Sequence, residues 1–180
     1  IHKEKLTPRK TLQMAAEKRL LKGVYMSIRV LFICHGNICR SPMCQSIFTH
    51  MVKEQNLTNH FKIDSAATSR EEIGNPPHYG TAGKLRQVGI PLVPHRAEQM
   101  TKADYDAYDY LIGMDSMNIR NIMRIIGKDT QKKVYRLLEF SDSPRDIADP
   151  WYTGNFDRTY EDSVEGCMAL LEKIKQEYDL

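Results

Sequence analysis

The chain has 180 residues, a net charge of +3, 41% hydrophobic and 27% charged residues, the balance of a globular protein with one full core. Its apolar run at residues 30–34 is far too short to span a membrane. Residues 1–25 carry seven Lys/Arg and two Glu, so the other 155 residues have a net charge of −2 and lack the basic footprint of a nucleic-acid-binding domain.

Residues 1–25 are expected to form a basic, helical N-terminal extension or leader without a catalytic role, or alternatively a docking or targeting helix. A new pattern opens at Met26, and residues 26–180 are predicted to form a single domain. No apolar segment of a secretory signal interrupts the charges of the first 25 residues. The four cysteines are not spaced like a disulfide framework, which favours a cytoplasmic location.

From Ile28 onward, strand patterns alternate with helix patterns. Apolar, β-branched runs predict strands at residues 28–34, 61–65, 108–114 and 134–137. Helices are predicted at residues 41–54, 78–88, 116–126 and 157–178, with a long loop at 141–151. This alternation predicts an α/β fold with an open parallel sheet that is covered by helices on both faces.

One loop carries the residues of a chemical site. Cys34 ends a predicted buried strand and a helix starts at Ser41 or Pro42, so the backbone N–H groups between them converge into an anion site. Gly36 and Asn37 are residue types that tolerate the positive φ such a curl requires. The thiolate is the nucleophilic form of cysteine, and helix N-termini favour it.

Two further residues of this loop suit phosphate chemistry. The planar guanidinium of Arg40 matches two oxygens of a phosphoryl group, and the Ser41 hydroxyl can donate to the sulfur of Cys34. A departing phenolate also needs a proton. Asp149 is a candidate acid beside Pro150, although Asp142 and Asp146 are equally acceptable from the residues alone.

The chain resembles the low-molecular-weight protein tyrosine phosphatases over residues 28–178. The resemblance rests on separated motifs in one order: residues 30–42 (Val-Leu-Phe-Ile-Cys-His-Gly-Asn-Ile-Cys-Arg-Ser-Pro), 64–69 (Asp-Ser-Ala-Ala-Thr-Ser), 74–77 (Gly-Asn-Pro-Pro), 114–115 (Met-Asp) and 149–152 (Asp-Pro-Trp-Tyr). It implies a three-layer flavodoxin-like fold with a four-stranded parallel sheet. It also implies hydrolysis of phosphotyrosine in proteins, and of small aryl phosphates, without a metal or cofactor, by a monomer or weak homodimer.

The resemblance also implies roles for individual residues. Cys34 corresponds to the nucleophile, Arg40 to the transition-state binder, and Asp149 to the general acid and later base. The phosphate loop is completed by His35, Gly36, Asn37, Ile38, Cys39 and Ser41. His95 matches a histidine that supports the loop asparagine, and Asp115 an aspartate of the structural network. Trp151 and Tyr152 form one cleft wall, and Glu71 stands in the other, where many relatives have an aromatic residue.

Other functions remain open for this fold. A protein arginine phosphatase is the nearest alternative, but such enzymes have Thr in place of Ile38 and lack the paired aromatic residues after the acid. An arsenate reductase would need further cysteines for a disulfide relay. A phosphate-binding module without activity leaves the cysteine and the acid unexplained. Cys39 is interpreted as a redox partner that forms a reversible disulfide with Cys34, as pairs in the family do.

Overall fold

The computed structural model describes residues 27–180, so the predicted extension at residues 1–25 lies outside the described residues. Four parallel strands form one sheet in the order β2-β1-β3-β4. The strands are β1 (Ile28–Cys34), β2 (Phe61–Ala67), β3 (Tyr110–Gly113) and β4 (Val134–Arg136). The helices are α1 (Arg40–Glu54), α2 (Tyr79–Gln87), α3 (Asp104–Ala107), α4 (Ser116–Ile126), α5 (Pro150–Thr153) and α6 (Phe156–Tyr178), with 3-10 turns at Thr58–His60 and Leu137–Phe140.

The sheet is buried on both faces. Successive side chains of a strand point to opposite faces, so each strand contributes to two cores. On β1, Val30 and Phe32 belong to one hydrophobic core, while Leu31 and Ile33 belong to a second core on the opposite face. Helices α1 and α6 cover the first core and α4 covers the second. These three layers confirm the predicted flavodoxin-like α/β fold.

Local sequence signals explain how α4 begins and ends. The Asp115 side chain caps the helix by accepting a hydrogen bond from the Asn118 N–H, 2.7 Å away. Gly127 stops it with a φ of 84°, a conformation in which a side chain would be strained. The predicted bounds of 116–126 therefore agree with the structure.

Other element bounds differ from the prediction. Strand β2 runs two residues further, to Ala67, because it stays paired with β1 to the level of Cys34. Strand β3 is shorter than the predicted 108–114, and the predicted loop at 141–151 ends in the short helix α5. Helix α3 was not predicted, since four residues contain too little periodicity to signal a helix.

The order of the strands determines where a ligand can bind. The chain leaves β1 towards β2 on one side and returns to β3 on the other, so a crevice opens at the carboxyl ends of β1 and β3. Cys34 ends β1 at this crevice, and Asp115 follows the end of β3. Among the helices of residues 27–180, none is long and apolar enough to cross a membrane.

Candidate active site

The loop from Cys34 to Ser41, here called the phosphate loop, connects β1 to α1. Helix α1 begins at Arg40, and no side chain caps its first turn. Its uncapped N–H groups therefore point towards the loop and are available to an anion. The Asn37 N–H points to the Cys34 Sγ at 3.3 Å, which places the sulfur at the floor of the curl.

The curl of the loop depends on Asn37, which is fully buried and has a φ of 59°. Its side-chain amide donates to Ser41 Oγ at 2.9 Å and to Ser65 Oγ at 3.0 Å. Its side-chain carbonyl accepts from the Glu98 N–H at 3.1 Å. Asn tolerates this backbone conformation better than most residues, and the three bonds offset what strain remains.

The same network reaches the sulfur of Cys34. Ser41 Oγ lies 3.0 Å from Cys34 Sγ. Because Ser41 Oγ already accepts a hydrogen bond from Asn37, its own hydrogen is free to point at the sulfur and to stabilise a thiolate. On the far side, Ser65 Oγ donates to Gln45 Oε1 at 2.7 Å, so the chain of bonds is fixed at both ends.

His95 supports the loop from behind. Its Nε2 lies 3.0 Å from the backbone carbonyl oxygen of Asn37, and a carbonyl only accepts, so this nitrogen carries the hydrogen. Burial lowers the pKa of His95 below its usual value, against the opposing effects of this bond and of Glu98. The lowered pKa favours the neutral ring, which donates from Nε2 to the loop.

Arg40 is 2% exposed and is held on three sides. Its Nη1 donates to Asp115 Oδ2 at 2.6 Å and to the Ile147 carbonyl at 2.8 Å, while Nη2 donates to Asp149 Oδ2 at 3.0 Å. Burial alone would lower the pKa of Arg40, but Cys34, Asp149 and Asp115 raise it above its ordinary value. The guanidinium is a permanent cation beside the sulfur.

Asp149 is positioned by the helix it caps. Its Oδ1 accepts from the Trp151 N–H at 3.1 Å at the start of α5, and Pro150 occupies the first position of that helix. Its Oδ2 faces Arg40 and the cleft. The two alternative acids are absent from the cleft lining, and Asp146 instead binds Ser116 and Arg136.

Two unlike walls enclose the cleft above the loop. One is aromatic: Trp151 is 58% exposed and packs edge-on against His78, and Tyr152 is 83% exposed. The other is acidic and consists of Glu71 and Glu72. Glu71 Oε2 lies 3.0 Å from His35 Nε2 at the mouth of the cleft.

Gly36 differs from the prediction, since it does not have a positive φ and Asn37 alone among residues 34–41 does. Its lack of a side chain still matters, because a Cβ at Gly36 would lie 3.2 Å from Glu72 Cγ. Glycine therefore lets the acidic wall approach the backbone of the phosphate loop.

A family model described as low molecular weight phosphotyrosine protein phosphatase matches residues 29–180. The chain belongs to this family. Low molecular weight protein-tyrosine-phosphatase YfkJ of Bacillus subtilis is 40% identical over 155 residues, which cover 85% of this chain and 99% of the relative. The human low molecular weight phosphotyrosine protein phosphatase is 41% identical over 149 residues, covering 80% and 94%.

Solved structures agree with the family assignment. The crystal structure of YfkJ from Bacillus subtilis matches with a TM-score of 0.82 over 84% of this chain and 97% of the other, at 41% identity. A Drosophila arginine phosphatase matches with a TM-score of 0.76 at 28% identity, covering 82% and 98%. The same fold is therefore also found in a protein that is named an arginine phosphatase.

The predicted site residues form two groups, one that lines the cleft and one that lies behind the phosphate loop. The cleft is lined by Cys34, His35, Gly36, Ile38, Cys39, Arg40, Glu71, Glu72, Asp149, Trp151 and Tyr152. Asn37, Ser41 and His95 lie behind the loop and hold it through the bonds described above. Sequence reasoning missed Gln45 and Ser65, whose signal was a polar residue at an otherwise buried position of a helix and of a strand.

Proposed function

We propose that this phosphatase hydrolyses phosphotyrosine in proteins, with Cys34 as nucleophile, Arg40 as phosphate clamp and Asp149 as general acid and base. The observation that carries the proposal is the convergence of three groups on one point. The Cys34 sulfur lies at the floor of the loop, the buried Arg40 guanidinium stands beside it, and the Asp149 carboxylate is 3.0 Å from that guanidinium. A thiolate, a clamp and an acid are the parts that metal-independent phosphoryl transfer to sulfur requires.

The first half of the reaction transfers the phosphoryl group. Loop N–H groups and Arg40 bind its oxygens, and the Cys34 thiolate attacks phosphorus in line with the leaving tyrosyl oxygen. The P–O bond to tyrosine breaks as the S–P bond forms, and protonated Asp149 gives its proton to the departing phenolate. The products are a dephosphorylated tyrosine side chain in the substrate protein and a phosphocysteine at Cys34.

The second half regenerates the enzyme. The Asp149 carboxylate takes a proton from water as the water oxygen attacks phosphorus, and the S–P bond breaks to release inorganic phosphate and the Cys34 thiolate. The Ser41 hydroxyl, 3.0 Å from the sulfur, stabilises the departing thiolate in this step. Asp149 thus regains the proton that it gave to the phenolate.

The remaining expectations are proposals of the same kind. Residues 26–180 form the catalytic domain, and the family match at residues 29–180 supports this boundary. A cytoplasmic location suits the four free cysteines in the described part of the chain. A disulfide relay of the arsenate reductase type is disfavoured, because Cys44 and Cys167 are fully buried between α1 and α6.

A comparison of four substrates tests the proposal. Wild-type protein and Cys34→Ser are assayed with matched phosphotyrosine, phosphoarginine and phosphoserine peptides, and with arsenate plus a thiol reductant. We expect hydrolysis of phosphotyrosine by the wild type and none by the variant, which should still bind inorganic phosphate. Preferred hydrolysis of phosphoarginine would replace the proposed substrate, and turnover by Cys34→Ser would refute the nucleophile.

A further inference from the structure

The acidic wall, Glu71 and Glu72, is a part of the cleft that the proposed cycle does not use. Phosphate is an anion, so two carboxylates above its binding loop oppose its entry. Among the described residues that line the cleft, Arg40 is the one permanent cation, and its guanidinium is already paired with Asp115 and Asp149. The rim is therefore negative where a phosphorylated segment must enter.

The acidic wall is built into the site by several contacts. The segment that carries it is joined to the phosphate loop by the Ser69 N–H, which donates to the His35 carbonyl at 3.0 Å. Glu72 accepts a bond from the Asn75 side chain at 2.6 Å, and its Cγ lies close to the backbone of Gly36. These contacts hold the carboxylates at the cleft in the absence of a substrate.

Glu71 is the carboxylate that faces outward. Its side chain is 70% exposed, and its contact with His35, 44% exposed, is at the mouth of the cleft. The opposite wall offers aromatic surface from Trp151 and Tyr152 and no charge. A phosphotyrosine ring bound between the two walls would place the neighbouring residues of the substrate near Glu71.

We propose that Glu71 and Glu72 select phosphotyrosine segments with an arginine or lysine next to the phosphotyrosine, an inference that rests on the proposed function. A cationic neighbour offsets the repulsion between the acidic wall and the phosphoryl group. An acidic neighbour adds to that repulsion. The charges of the flanking residues thus determine which phosphotyrosine segments are preferred, whereas the phosphate loop carries out the reaction on all of them.

The size of the effect follows from the exposure of Glu71. An exposed ion pair contributes up to about 1 kcal/mol, which is about a fivefold change in a rate or binding constant. We expect kcat/KM for an Arg-flanked peptide to exceed that for its Gln-flanked match about fivefold at low salt. The same comparison with a Glu-flanked peptide should show a loss of similar size. Both differences should shrink as salt rises, because charges near the surface are screened.

The test measures kcat/KM for three phosphotyrosine peptides. The two residues that flank phosphotyrosine are both Arg in the first peptide, both Gln in the second and both Glu in the third. The double variant Glu71→Gln/Glu72→Gln removes both charges and keeps the side-chain size and an oxygen that can accept from Asn75. Glu54→Gln is the matched control, because it removes one exposed carboxylate far from the cleft. Glu54 is the last residue of α1 and lies about 21 Å along the helix axis from Arg40, the first. We expect the ratio between Arg and Glu peptides to approach one in the double variant and to stay unchanged in the control.

The ratio of kcat/KM between the Arg and Glu peptides reports only how the acidic wall acts on the flanking residues. Any effect of the lost charges on the phosphoryl group itself is the same for all three peptides and cancels. Equal rates for the three peptides in the wild type, or a preference that persists in the double variant, would overturn the inference while leaving phosphotyrosine hydrolysis intact. If no phosphotyrosine peptide is hydrolysed but phosphoarginine is, the proposed function and this inference both fail.

Discussion

From the contact between Arg40 and Asp149 we predict that the substitution Asp149→Asn slows turnover but tightens the binding of the product, inorganic phosphate. Without a ligand, the guanidinium donates to the Asp149 carboxylate at 3.0 Å. An incoming phosphate needs that same guanidinium nitrogen, so the carboxylate competes with it. Asp149→Asn keeps the size of the side chain and an oxygen for capping α5, but it removes the competing charge.

The magnitude follows from the environment of this ion pair. A hydrogen bond to a charged group contributes about 1.5–3 kcal/mol, and the 23% exposure of Asp149 places this one at the low end. About 1.4 kcal/mol corresponds to a factor of ten. We expect the inhibition constant of inorganic phosphate to fall about tenfold in Asp149→Asn. Over the same substitution, kcat/KM for phenyl phosphate should fall about 10²- to 10³-fold, because its leaving group needs a proton.

The assay compares aryl phosphates whose leaving groups differ in basicity. It uses kcat/KM, which reports the first chemical step and is insensitive to hydrolysis of the phosphocysteine. The loss for p-nitrophenyl phosphate should be about tenfold smaller than for phenyl phosphate, since nitrophenolate leaves with less help from an acid. Asp142→Asn, an exposed residue outside the cleft lining, is the control. Unchanged or weaker phosphate binding by Asp149→Asn, or equal losses along the series, would refute the reasoning.

Three further predictions concern other residues. Iodoacetamide at pH 7 should leave Cys39 unmodified in mass spectra, because burial and nearby acidic groups raise the pKa of its thiol to about 12; its alkylation would contradict this. Gly166→Ala should lower stability by about 1–3 kcal/mol in urea unfolding, because its Cβ would lie 2.4 Å from Leu137 Cγ, whereas Gly83→Ala meets no atom within 4 Å and should not destabilise. Asp115→Asn should lower kcat/KM for aryl phosphates about tenfold, because its amide has one acceptor oxygen for two contacts; full activity would show that the carboxylate does not position the clamp.

Local signals were sufficient for the parts of the fold that depend on neighbouring residues. The β-branched run at residues 28–34 predicted β1 with its observed bounds, and the spacing from Cys34 to Arg40 predicted a phosphate loop. The predicted bounds of α4 agree with the structure, in which Asp115 caps the helix and Gly127 stops it, because both signals are encoded within a few residues. Strand β2 was predicted too short, since its last residues are polar or small and owe their strand conformation to pairing with β1.

The site itself was predictable only where its residues share one loop. Arg40 meets Asp115 and Asp149 across 75 and 109 residues of sequence, and no local pattern encodes such pairs. Their presence in one cleft follows from the order of the strands, which brings the ends of β1 and β3 together. The residues alone left Asp149 as one of three candidate acids, and the resemblance to a family singled it out and supplied His95. The close approach of Glu72 to the loop depends on the missing side chain of Gly36 and was not predictable from either.

The two carboxylates on Arg40 have different consequences for catalysis. A buried guanidinium without a partner is costly, so the site needs a counter-charge before the phosphate arrives. Asp115 is tied to α4 through the Asn118 N–H and stays in place, and with the Ile147 carbonyl it fixes the direction of the clamp. Asp149 also caps a helix, through the Trp151 N–H, but its Oδ2 contacts Nη2, which has no other partner among the described contacts. We therefore expect the phosphoryl group to displace Asp149, and not Asp115, from the guanidinium. If Asp149 is the general acid, as proposed, this displacement places its carboxyl beside the leaving oxygen, where it can transfer a proton.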